Sequence, residues 1–469
     1  MFLNIDKQQQ DKLALIDNEE NRVTYGELAE LMNTVGTQVE PRSLIFMLCK
    51  NTVGSMAGYL GFVEYEAVPV TLNAKIDTEL LSNLLEIYTP AYVWCPIEEA
   101  DRFEYEKVYE CYGYVLLKTG KEIYPLNDKL QLCMTTSGST GSPKLVRYKK
   151  GNLEANAKNV AIAFGWTEAE RPICDLGMQY TMGLNVINTH LYVGATVLLT
   201  TYNLMSGEFW DYIKKERGTN FTGVPFSYDI FYRLHFDRMD LPDLQTLSQG
   251  GGKLTDARFV QLAEYAQKTG KRFIASFGTT ETSARMACLP ADLALNKIGS
   301  IGRAIPEGEL FLVDENGNVL TDSVAEGELC YKGPNVTMGY AICKEDLLKD
   351  DEFRGEYHTG DLARRDEDGC YFVTGRLSRF LKLLSYRVSL DQSERLIQQE
   401  FNIECACTGT DQRMNIYVTD GSKKAEVLEF IAEKTNLYKT LFKVFVVPEI
   451  LRSESGKIRY KEMDAKYAE

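Results

Sequence analysis

The sequence predicts an α/β protein built from parallel sheets that are covered by helices. Over residues 1–295, short apolar runs of strand length alternate with helical segments, which is the order that βαβ units produce. The strands are continuous apolar runs, as is typical of a parallel sheet buried on both faces. Turn pairs at Asn316-Gly317 and Asp368-Gly369 predict antiparallel strand pairs in the region 296–374.

Individual elements follow from capping signals and periodicity. Thr24 and Glu27 form a capping box ahead of apolar residues at helical spacing, so a helix is predicted there. The run 43–49 is predicted as a buried strand, and 51–65, with three spaced glycines, as a tightly packed helix. The other predicted strands are 67–70, 91–95 and 195–200, and the other predicted helices are 79–88, 152–164, 184–192, 207–217 and one from Thr255 to Gly270.

Composition and charge are typical of a globular protein that handles small ligands. The chain has 469 residues, of which 44% are apolar, enough for roughly three domains of about 150 residues each. Lys and Arg number 52 and Asp and Glu 67, so the net charge is −15. No basic block is present, which argues against nucleic-acid and anionic-membrane partners.

Cysteine usage and hydropathy predict a cytoplasmic protein. Eleven cysteines are scattered from Cys49 to Cys407 without the paired spacing of a zinc knuckle, so buried reduced thiols are expected. No stretch reaches the roughly 18 apolar residues of a membrane span, and the first ten residues do not form a signal peptide. Three histidines, His190, His235 and His358, are too few for a multi-histidine metal site.

The stretch 131–144 is an apolar strand-like segment that runs into a loop of small residues. Glycines let the backbone approach an anion closely, hydroxyls donate to phosphate oxygens, and a lysine supplies positive charge. A Walker loop is excluded because Pro143 precedes the lysine and Leu145 follows it. A surface turn is the alternative. The candidate phosphate ligands are Thr136, Ser137, Gly138, Ser139, Thr140, Gly141 and Lys144.

Two later strands also lead into polar loops. The segment 244–254 brings three glycines together, so that a flat ligand can lie against bare backbone; a flexible turn is the alternative. In 272–281 an aromatic ring suits a nucleobase, a hydroxyl suits a phosphate and a carboxylate suits Mg²⁺. The candidate nucleotide-binding residues are Gly251, Gly252, Lys253, Phe277, Gly278, Thr279, Thr280 and Glu281.

These motifs resemble those of the adenylate-forming superfamily, which comprises acyl- and aryl-CoA synthetases, peptide-synthetase adenylation domains and beetle luciferases. The segments 136–144 and 277–281 are similar to its phosphate and nucleotide loops. The segment 357–361, Tyr-His-Thr-Gly-Asp, resembles its ribose-binding stretch, Gly375-Arg376 its hinge and Ser-Gly-Lys at 455–457 its catalytic lysine motif. Five motifs in the same order make this resemblance specific.

The resemblance implies an AMP-forming acid–thiol ligase. A carboxylic acid and ATP would form acyl-AMP and pyrophosphate, and the acyl group would pass to coenzyme A or to the phosphopantetheine arm of a carrier protein. Bringing a carboxylate against a polyphosphate is costly unless cations offset the like charges. The implied catalytic residues are Lys457, Glu281, Thr280 and Lys144, with Glu281 as the Mg²⁺ ligand and Asp361 and Arg376 at the ribose.

The resemblance also implies the domain organisation. A large domain, 1–374, would hold the α/β sheets to about residue 295 and a strand-rich distorted β-barrel at 296–374. A hinge at 375–379 that includes Ser378 would connect it to a small α+β lid domain at 380–469. In the lid, helices are expected at 392–401 and 426–434, and strands at 380–390, around 405 and 416, and at 443–447.

The acyl pocket is the least defined part of the site. Tyr180 resembles the aromatic gate of many acyl-CoA synthetases, with Gly183, Val224 and Phe226 as further pocket candidates; core packing is the alternative for Phe226. Asp175 lies near the position of the aspartate that holds the α-amino group in peptide synthetases. The spacing fits the acyl/aryl type better, so an acid without an α-amino group is favoured.

Several departures from the family pattern bear on function. Phe277 replaces the usual adenine-loop tyrosine and Leu145 the glycine after the phosphate-loop lysine, and both are expected to be tolerated. Ser378 replaces a charged hinge residue, and Ser385 a glycine of the lid's first loop. These two substitutions concern the thiol-transfer step and its acceptor.

Alternatives of other kinds remain at this point. One is a ligase that activates an amino acid or hydroxy acid and loads a carrier protein. Another is a nucleotide-binding regulatory protein without ligase activity, although Glu281 and Lys457 count against it because binding alone requires neither. A phosphoryl-transfer kinase is the least favoured, and formation of AMP as opposed to ADP distinguishes it from a ligase.

Overall fold

A computed structural model of the protein describes residues 1–135, 144–377, 379–384, 386–435, 437–453 and 456–468. The predicted phosphate ligands at 136–141 lie outside the described residues. So do Ser378 and Ser385, the two departures that concern the second half-reaction. Lys144, the last residue of the predicted phosphate loop, is described.

The helices begin and end close to the predicted positions. In chain order, the α-helices are α1 Tyr25–Gly36, α2 Val53–Glu64, α3 Thr78–Tyr88, α4 Asn152–Phe164, α5 Thr181–Tyr192, α6 Gly207–Lys215, α7 Pro225–Arg233, α8 Asp256–Thr269, α9 Leu390–Phe401, α10 Lys424–Thr435 and α11 Tyr460–Tyr467.

The strands form sheets with both parallel and antiparallel pairs. In chain order, they are β1 Leu13–Asp17, β2 Arg22–Thr24, β3 Leu44–Cys49, β4 Val68–Asn73, β5 Tyr92–Pro96, β6 Glu106–Cys111, β7 Tyr114–Lys118, β8 Leu130–Thr135, β9 Leu145–Lys149, β10 Pro172–Cys174, β11 Val197–Leu199, β12 Asn220–Gly223, β13 Thr246–Gln249, β14 Arg272–Phe277, β15 Ala287–Leu289, β16 Arg303–Ala304, β17 Glu309–Val313, β18 Ala325–Lys332, β19 Tyr340–Ala341, β20 Glu356–Arg365, β21 Tyr371–Arg376, β22 Phe380–Leu383, β23 Tyr386–Ser389, β24 Cys405–Thr410, β25 Arg413–Val418 and β26 Phe442–Val446.

The chain folds as two compact units, the first comprising Met1–Leu310 with Tyr331–Tyr357 and the second Phe311–Cys330 with His358–Glu469. In the first unit, a nine-stranded sheet has the order β16-β15-β14-β13-β12-β10-β11-β1-β2 and an eight-stranded sheet the order β19-β9-β8-β4-β3-β5-β7-β6. The central pairs of both sheets are parallel. The predicted α/β class, with helix-covered sheets, is confirmed.

Helix α2 is the most deeply buried helix of the first unit, because every residue from Val53 to Val63 is buried. Its glycines allow close contact on two sides. A Cβ added at Gly58 would lie 2.3 Å from the indole nitrogen of Trp94, and one at Gly61 would lie 2.9 Å from the carbonyl oxygen of Met32 in α1. The prediction of a tightly packed glycine-containing helix is therefore confirmed.

Local capping signals also predicted the helix ends correctly. Thr24 and Glu27 exchange the two hydrogen bonds of a capping box at the start of α1. Thr255 accepts a hydrogen bond from the backbone N–H of Arg258 and Gly270 ends α8 at φ 69°, a left-handed conformation that glycine adopts without strain. The strands β6 and β7 and the helix α11 were not predicted, because their sequences lack clear alternation or caps. Helix α7 was not predicted either, although Pro225 is typical of a helix start.

The second unit contains most of the strands from β17 onwards, whereas β19 belongs to the first unit. A four-stranded sheet has the order β17-β18-β20-β21, and its β20–β21 hairpin turns at Asp368-Gly369 as predicted, with Gly369 at φ 72°. The pair β22–β23 and the three-stranded sheet β24-β25-β26 pack with α9 and α10 around one apolar core. The predicted α+β character of this region is confirmed.

The predicted large domain, hinge and lid, with boundaries at 374 and 380, stay a prediction. Contacts within one conformation define compact units but do not locate a hinge. None of the helices in the described part of the chain combines the length and the apolar character needed to cross a bilayer. All eleven cysteines are free thiols, as predicted; nine are buried as expected, whereas Cys111 and Cys343 are partly exposed.

Candidate active site

Two residues that the sequence placed in different motifs meet on one tyrosine ring in the first unit. The hydroxyl of Tyr340 donates a hydrogen bond to Oε1 of Glu281 at 2.6 Å. The ammonium nitrogen of Lys144 lies 3.5 Å from the centroid of the same ring, a cation–π contact. The last residue of the phosphate loop and the predicted metal ligand are therefore brought together by Tyr340.

Sequence reasoning missed Tyr340, because it lies outside every motif and 59 residues beyond Glu281. Sheet pairing places it there, since Tyr340 lies opposite Val146 where β19 pairs with β9, directly after the phosphate loop. Burial and the neighbouring Glu281 carboxylate raise the pKa of Tyr340. The phenol therefore stays protonated at neutral pH and acts as a donor to the carboxylate.

The turn that carries Glu281 is held from both sides. Its backbone carbonyl accepts a hydrogen bond from the N–H of Thr337 at 2.9 Å, and the carbonyl of Thr280 accepts one from the hydroxyl of Tyr148 at 2.8 Å. Glu281 is only 9% exposed. The carboxylate is thus fixed by the backbone before any ligand arrives, which reduces the reorganisation that binding requires.

The predicted nucleotide loop begins where β14 ends at Phe277. Gly278 follows, and a Cβ there would lie 1.8 Å from the carbonyl oxygen of Ala284, so no other residue fits without moving the backbone. The N–H of Thr279 donates to the hydroxyl of Thr282 at 3.1 Å, which closes the turn around Thr280. Gly278 is therefore required by close packing, and Phe277 is left partly exposed beside the turn.

The three-glycine loop follows β13, and Gly251, Gly252 and Lys253 are all exposed. Gly251 has φ 73°, in the left-handed region, and the carbonyl of Gly252 accepts a hydrogen bond from the side chain of Gln249. A Cβ at Gly250 would lie 2.5 Å from the methyl carbon of Met182 in α5. The loop therefore presents bare backbone to solvent at the carboxyl end of β13, an interior strand of the nine-stranded sheet.

The four pocket candidates lie on two helix starts of the first unit. Tyr180 precedes α5 and is 39% exposed, and Phe226 at the start of α7 is 46% exposed. Gly183 approaches backbone, because a Cβ there would lie 2.4 Å from the carbonyl oxygen of Gly177. Val224 is in contact range of Gly251, whose added Cβ would lie 3.1 Å from it. The exposure of Phe226 argues against the alternative of core packing.

A fully buried arginine lies between the segments that carry these candidates. Arg285 donates to Asn185 of α5, to the hydroxyl of Thr222 at 3.3 Å and to that of Ser276 at 3.4 Å. The guanidinium carbon also lies 4.9 Å from the ring centroid of Phe164. Among the described residues all its partners are neutral, and burial lowers its pKa to about 10. No motif in the sequence indicated this residue.

In the second unit, Asp361 and Arg376 lie opposite each other on β20 and β21. Nε of Arg376 donates to Oδ1 of Asp361 at 2.9 Å, and the aspartate side chain is 4% exposed while that of the arginine is 63% exposed. The N–H of Asp361 donates to the hydroxyl of Thr359 at 3.0 Å. The two predicted ribose-binding residues are thus adjacent, and the arginine orients the carboxylate.

Lys457 lies in a tight turn of the second unit. The N–H of Ser453 donates to the carbonyl of Lys457 at 2.8 Å and the N–H of Lys457 to the Ser453 hydroxyl at 3.2 Å. Gly456, at φ 78°, supplies the left-handed residue of the turn. The lysine side chain is exposed, so a cation lies at the protein surface here.

Comparison with known proteins agrees with this set of residues. The model of a family described as AMP-binding enzyme matches residues 3–341. The chain belongs to the AMP-binding enzyme family. A 2-succinylbenzoate–CoA ligase of Bacillus cereus is 28% identical over 474 residues, covering 96% of this chain and 94% of the relative. The corresponding ligase of Bacillus cytotoxicus is 27% identical over 97% of this chain and 95% of its own length.

Solved structures show the same fold. The o-succinylbenzoate CoA synthetase of Bacillus subtilis, in complex with its acyl-adenylate intermediate, has a TM-score of 0.80 at 20% identity, covering 99% of this chain and 98% of that one. ATP-bound MatB from Rhodopseudomonas palustris has a TM-score of 0.80 at 21% identity with the same coverage. At these identities the likeness concerns the fold.

Membership of the AMP-binding enzyme family confirms the predicted enzyme class. The chain is an AMP-forming ligase that activates a carboxylic acid with ATP and passes the acyl group to a thiol. ATP, Mg²⁺ and coenzyme A are the ligands of that chemistry. The adenylate-forming superfamily was therefore identified correctly from five short motifs.

The arginines on either side of Ser378 are held by different elements. Arg376 is bound to Asp361 of β20, whereas Arg379 donates to Asp391 and to Glu394 of α9 and stacks 3.5 Å from the ring centroid of Tyr460. Burial raises the pKa of Glu394 to about 7, which the Arg379 charge partly offsets. The predicted hinge at 375–379 stays a prediction.

Asp175 follows β10 in the same unit as the acyl-pocket candidates. Its Oδ1 is buried without a hydrogen-bond partner among the described residues, although the residue as a whole is partly exposed. Burial raises the pKa of Asp175 to about 7, an effect that backbone hydrogen bonds partly offset. A carboxyl of this kind is protonated over much of the range in which an ordinary aspartate is charged.

We expect Asp175→Asn to stabilise the protein increasingly as pH rises from about 4 to about 7. The folded-state pKa lies above the unfolded value near 3.9, so ionisation favours the unfolded chain across that window. Melting temperatures measured from pH 4 to 8 should differ by on the order of 5 °C at pH 7 and above, and by little at pH 4. The exposed Asp11→Asn serves as control, and a pH-independent difference would contradict the assignment.

Proposed function

We propose that Lys144, Glu281 and Thr280 hold the phosphates of ATP and its Mg²⁺ ion. Asp361 and Arg376 hold the ribose. Lys457 offsets the repulsion between the negative charges of the acid and the α-phosphate. The observation that carries the assignment is the ring of Tyr340, which joins the ammonium of Lys144 to the carboxylate of Glu281. A cation and an anionic oxygen ligand side by side suit a polyphosphate with its metal ion. The proposed adenine and phosphate residues at 136–141, 251–253 and 277–279 complete this set.

The donor chemistry of this site fits Mg²⁺. The ion prefers hard oxygen ligands, usually one or two carboxylates together with substrate phosphates, and Glu281 supplies a buried carboxylate whose orientation the Tyr340 hydroxyl determines. When bound, the ion supplies positive charge to the phosphate oxygens. The residues of this chain position the carboxylate and keep the phenol protonated.

The substrate we propose is an aromatic acid with a second carboxylate, of which 2-succinylbenzoate is an example. Support comes from Arg285, a buried guanidinium whose described partners are all neutral. Burying an unpaired charge is expensive, and an anionic partner offsets much of the cost. Arg285 contacts Asn185, one turn beyond the proposed carboxylate gate at Tyr180, and Thr222, two residues before Val224. A second carboxylate of the substrate would therefore lie against this arginine.

The acceptor we propose is free coenzyme A, because the relatives that cover almost the whole chain are named CoA ligases. A carrier protein remains the alternative acceptor, and an amino acid or hydroxy acid the alternative substrate. The large domain, 1–374, would close against the lid, 380–469, through the hinge at 375–379. We also propose a cytoplasmic location, which the eleven free thiols support.

We expect 2-succinylbenzoate to drive exchange of pyrophosphate into ATP, measured with labelled pyrophosphate over a panel of acids. Benzoate, fatty acids, hydroxy acids and amino acids complete the panel. Amino acids would be the better substrates if the buried carboxylate of Asp175 held an α-amino group. If none of the acids supports exchange although the protein is folded and binds ATP, the result would contradict ligase activity. It would favour a regulatory nucleotide-binding role.

We expect Arg285→Met to reduce kcat/KM for 2-succinylbenzoate by roughly a hundred-fold or more, since truncating one partner of a buried ion pair costs about 3–5 kcal/mol. The matched acid 2-butanoylbenzoate, which lacks the second carboxylate, should change only a few-fold. Arg272→Met is the control. It removes another guanidinium, at the start of β14, whereas Arg285 contacts Ser276 near the end of that strand. Equal losses with both acids would mean that Arg285 is structural, while the adenylation proposal would stand.

A further inference from the structure

Three potential metal ligands converge on one face of the four-stranded sheet in the second unit. Glu328 and Cys330 occupy alternate positions of β18, so their side chains lie on the same face, and His358 lies on the neighbouring strand β20. One ligand atom from each of the three lies within 4.8 Å of the others. We call these residues the Glu-Cys-His cluster. His358 belongs to the segment 357–361, but none of the three residues has been given a role above.

The distances within the cluster match those between ligands of one tetrahedral ion. Sγ of Cys330 lies 3.3 Å from Nδ1 of His358, and Oε2 of Glu328 lies 3.4 Å from the same nitrogen. Tetrahedral Zn²⁺, with bonds of about 2.3 Å to sulfur and about 2.0 Å to nitrogen, holds those two atoms roughly 3.5 Å apart. Nitrogen and carboxylate oxygen on such an ion are separated by about 3.3 Å.

The thiol of Cys330 and the carboxylate of Glu328 both lie within hydrogen-bonding range of Nδ1 of His358. Nδ1 of a neutral imidazole offers either one hydrogen or one lone pair, yet both a thiol and a carboxylate point at it. The other carboxylate oxygen, Oε1 of Glu328, accepts a hydrogen bond from the N–H of Gly360 at 3.1 Å. That bond orients the carboxylate and directs Oε2 towards the cluster, as outer hydrogen bonds do at metal sites.

We propose that Glu328, Cys330 and His358 bind one Zn²⁺-type ion, with water in the fourth position. A set of thiolate, imidazole and carboxylate ligands selects Zn²⁺ or Co²⁺ over Mg²⁺ and Ca²⁺, which require oxygen ligands. His358 is 49% exposed, so water and the ion reach the site from its side. Cys330 is fully buried, which suits an inner ligand and not a nucleophile that must meet a substrate.

The position of the cluster gives the ion a structural effect. Gly360, which binds Glu328, directly precedes Asp361, and the hydroxyl of Thr359 donates to the carbonyl of Leu329 at 2.7 Å. An ion that joins β18 to β20 at this point would hold the strand segment from which Asp361 projects. Binding to the folded state alone also stabilises the protein by mass action.

The test is a Co²⁺ titration of the full-length protein after treatment with chelator. We expect one equivalent to bind with a sulfur-to-cobalt charge-transfer band and the intense visible bands of tetrahedral Co²⁺, and Zn²⁺ to displace it. Cys330→Ser should abolish the charge-transfer band. Glu328→Gln, which keeps an acceptor for Gly360, should weaken Co²⁺ binding, because a neutral amide replaces the charged carboxylate ligand. Zn²⁺ should raise the melting temperature of wild type but not of Cys330→Ser.

Two control variants address adventitious binding. Cys343→Ser removes a partly exposed thiol, and His235→Asn removes an exposed histidine, both in the first unit. Neither should change the Co²⁺ spectrum. The proposal is overturned if wild type shows no saturable tetrahedral Co²⁺ spectrum, or if the band survives in folded Cys330→Ser protein. It is also overturned if Mg²⁺ displaces Co²⁺ as well as Zn²⁺ does. Pyrophosphate exchange is measured separately, so failure here leaves the ligase proposal intact.

Discussion

Lys457→Ala should slow acid-dependent pyrophosphate exchange by roughly two to three orders of magnitude. A positioned cation against developing negative charge is worth on the order of 3–4 kcal/mol. The backbone of Lys457 exchanges two hydrogen bonds with Ser453, and the lysine side chain is exposed. Transfer of the acyl group from chemically supplied acyl-AMP to coenzyme A should stay within a few-fold of wild type. The reason is that the lid is expected to rotate between the two half-reactions.

The control for this experiment is Lys461→Ala, an exposed lysine at the start of α11. It should leave both half-reactions unchanged, which separates a loss of local charge from a loss of general surface charge. If Lys457→Ala slows both half-reactions equally, or leaves pyrophosphate exchange untouched, the lysine has a structural or solvated role.

Glu281→Gln should reduce pyrophosphate exchange by about a hundred-fold and raise the Mg²⁺ concentration that gives half-maximal rate. Gln still accepts the hydrogen bond from the Tyr340 hydroxyl, which joins the two side chains at 2.6 Å, so the local geometry is retained. What is lost is the negative charge, on which binding of a hard divalent ion depends. Initial rates measured over a Mg²⁺ series at saturating ATP give both quantities.

Tyr340→Phe is the matched variant for this second prediction. It removes the hydrogen bond but keeps the ring face beneath Lys144, so we expect a loss of roughly ten-fold, in line with a charge-assisted hydrogen bond. Glu110→Gln, an exposed carboxylate of the same unit, should have no effect. A Mg²⁺ dependence identical to that of wild type in Glu281→Gln would exclude Glu281 as the metal ligand.

Helices and buried strands were predictable because their signals are local. The capping box at Thr24 and Glu27 and the left-handed glycine at Gly270 end their helices for reasons contained in a few residues. The hairpin β6–β7 was missed because β6 is mostly exposed and shows no clear alternation. Helix α7 was missed because its start, at Val224-Pro225, had been assigned to the acyl pocket.

The sequence indicated candidate site residues where small and polar residues form a contiguous motif. Glu281, Asp361 and Lys457 each stand within a short segment of small and polar residues, and such segments keep the same form wherever they occur in the fold. Tyr340 and Arg285 carry no such signal. Tyr340 lies on a two-residue strand and Arg285 follows a turn, and nothing in the neighbouring sequence distinguishes either residue. Only their contacts in the folded structure indicate a function.

The sequence by itself determined the α/β class, the adenylate-forming chemistry and the order of the motifs, because these depend on periodicity, capping and contiguous ligand sets. The tertiary structure alone decided which distant residues meet. Pairing of β19 with β9 brings Tyr340 between Lys144 and Glu281, and the packing of α5, β12 and β14 buries Arg285 among neutral partners. The adjacency of β18 and β20 assembles Glu328, Cys330 and His358. Sheet order and packing arise from contacts between segments far apart in the chain. The spacing of residues within one segment does not predict such contacts.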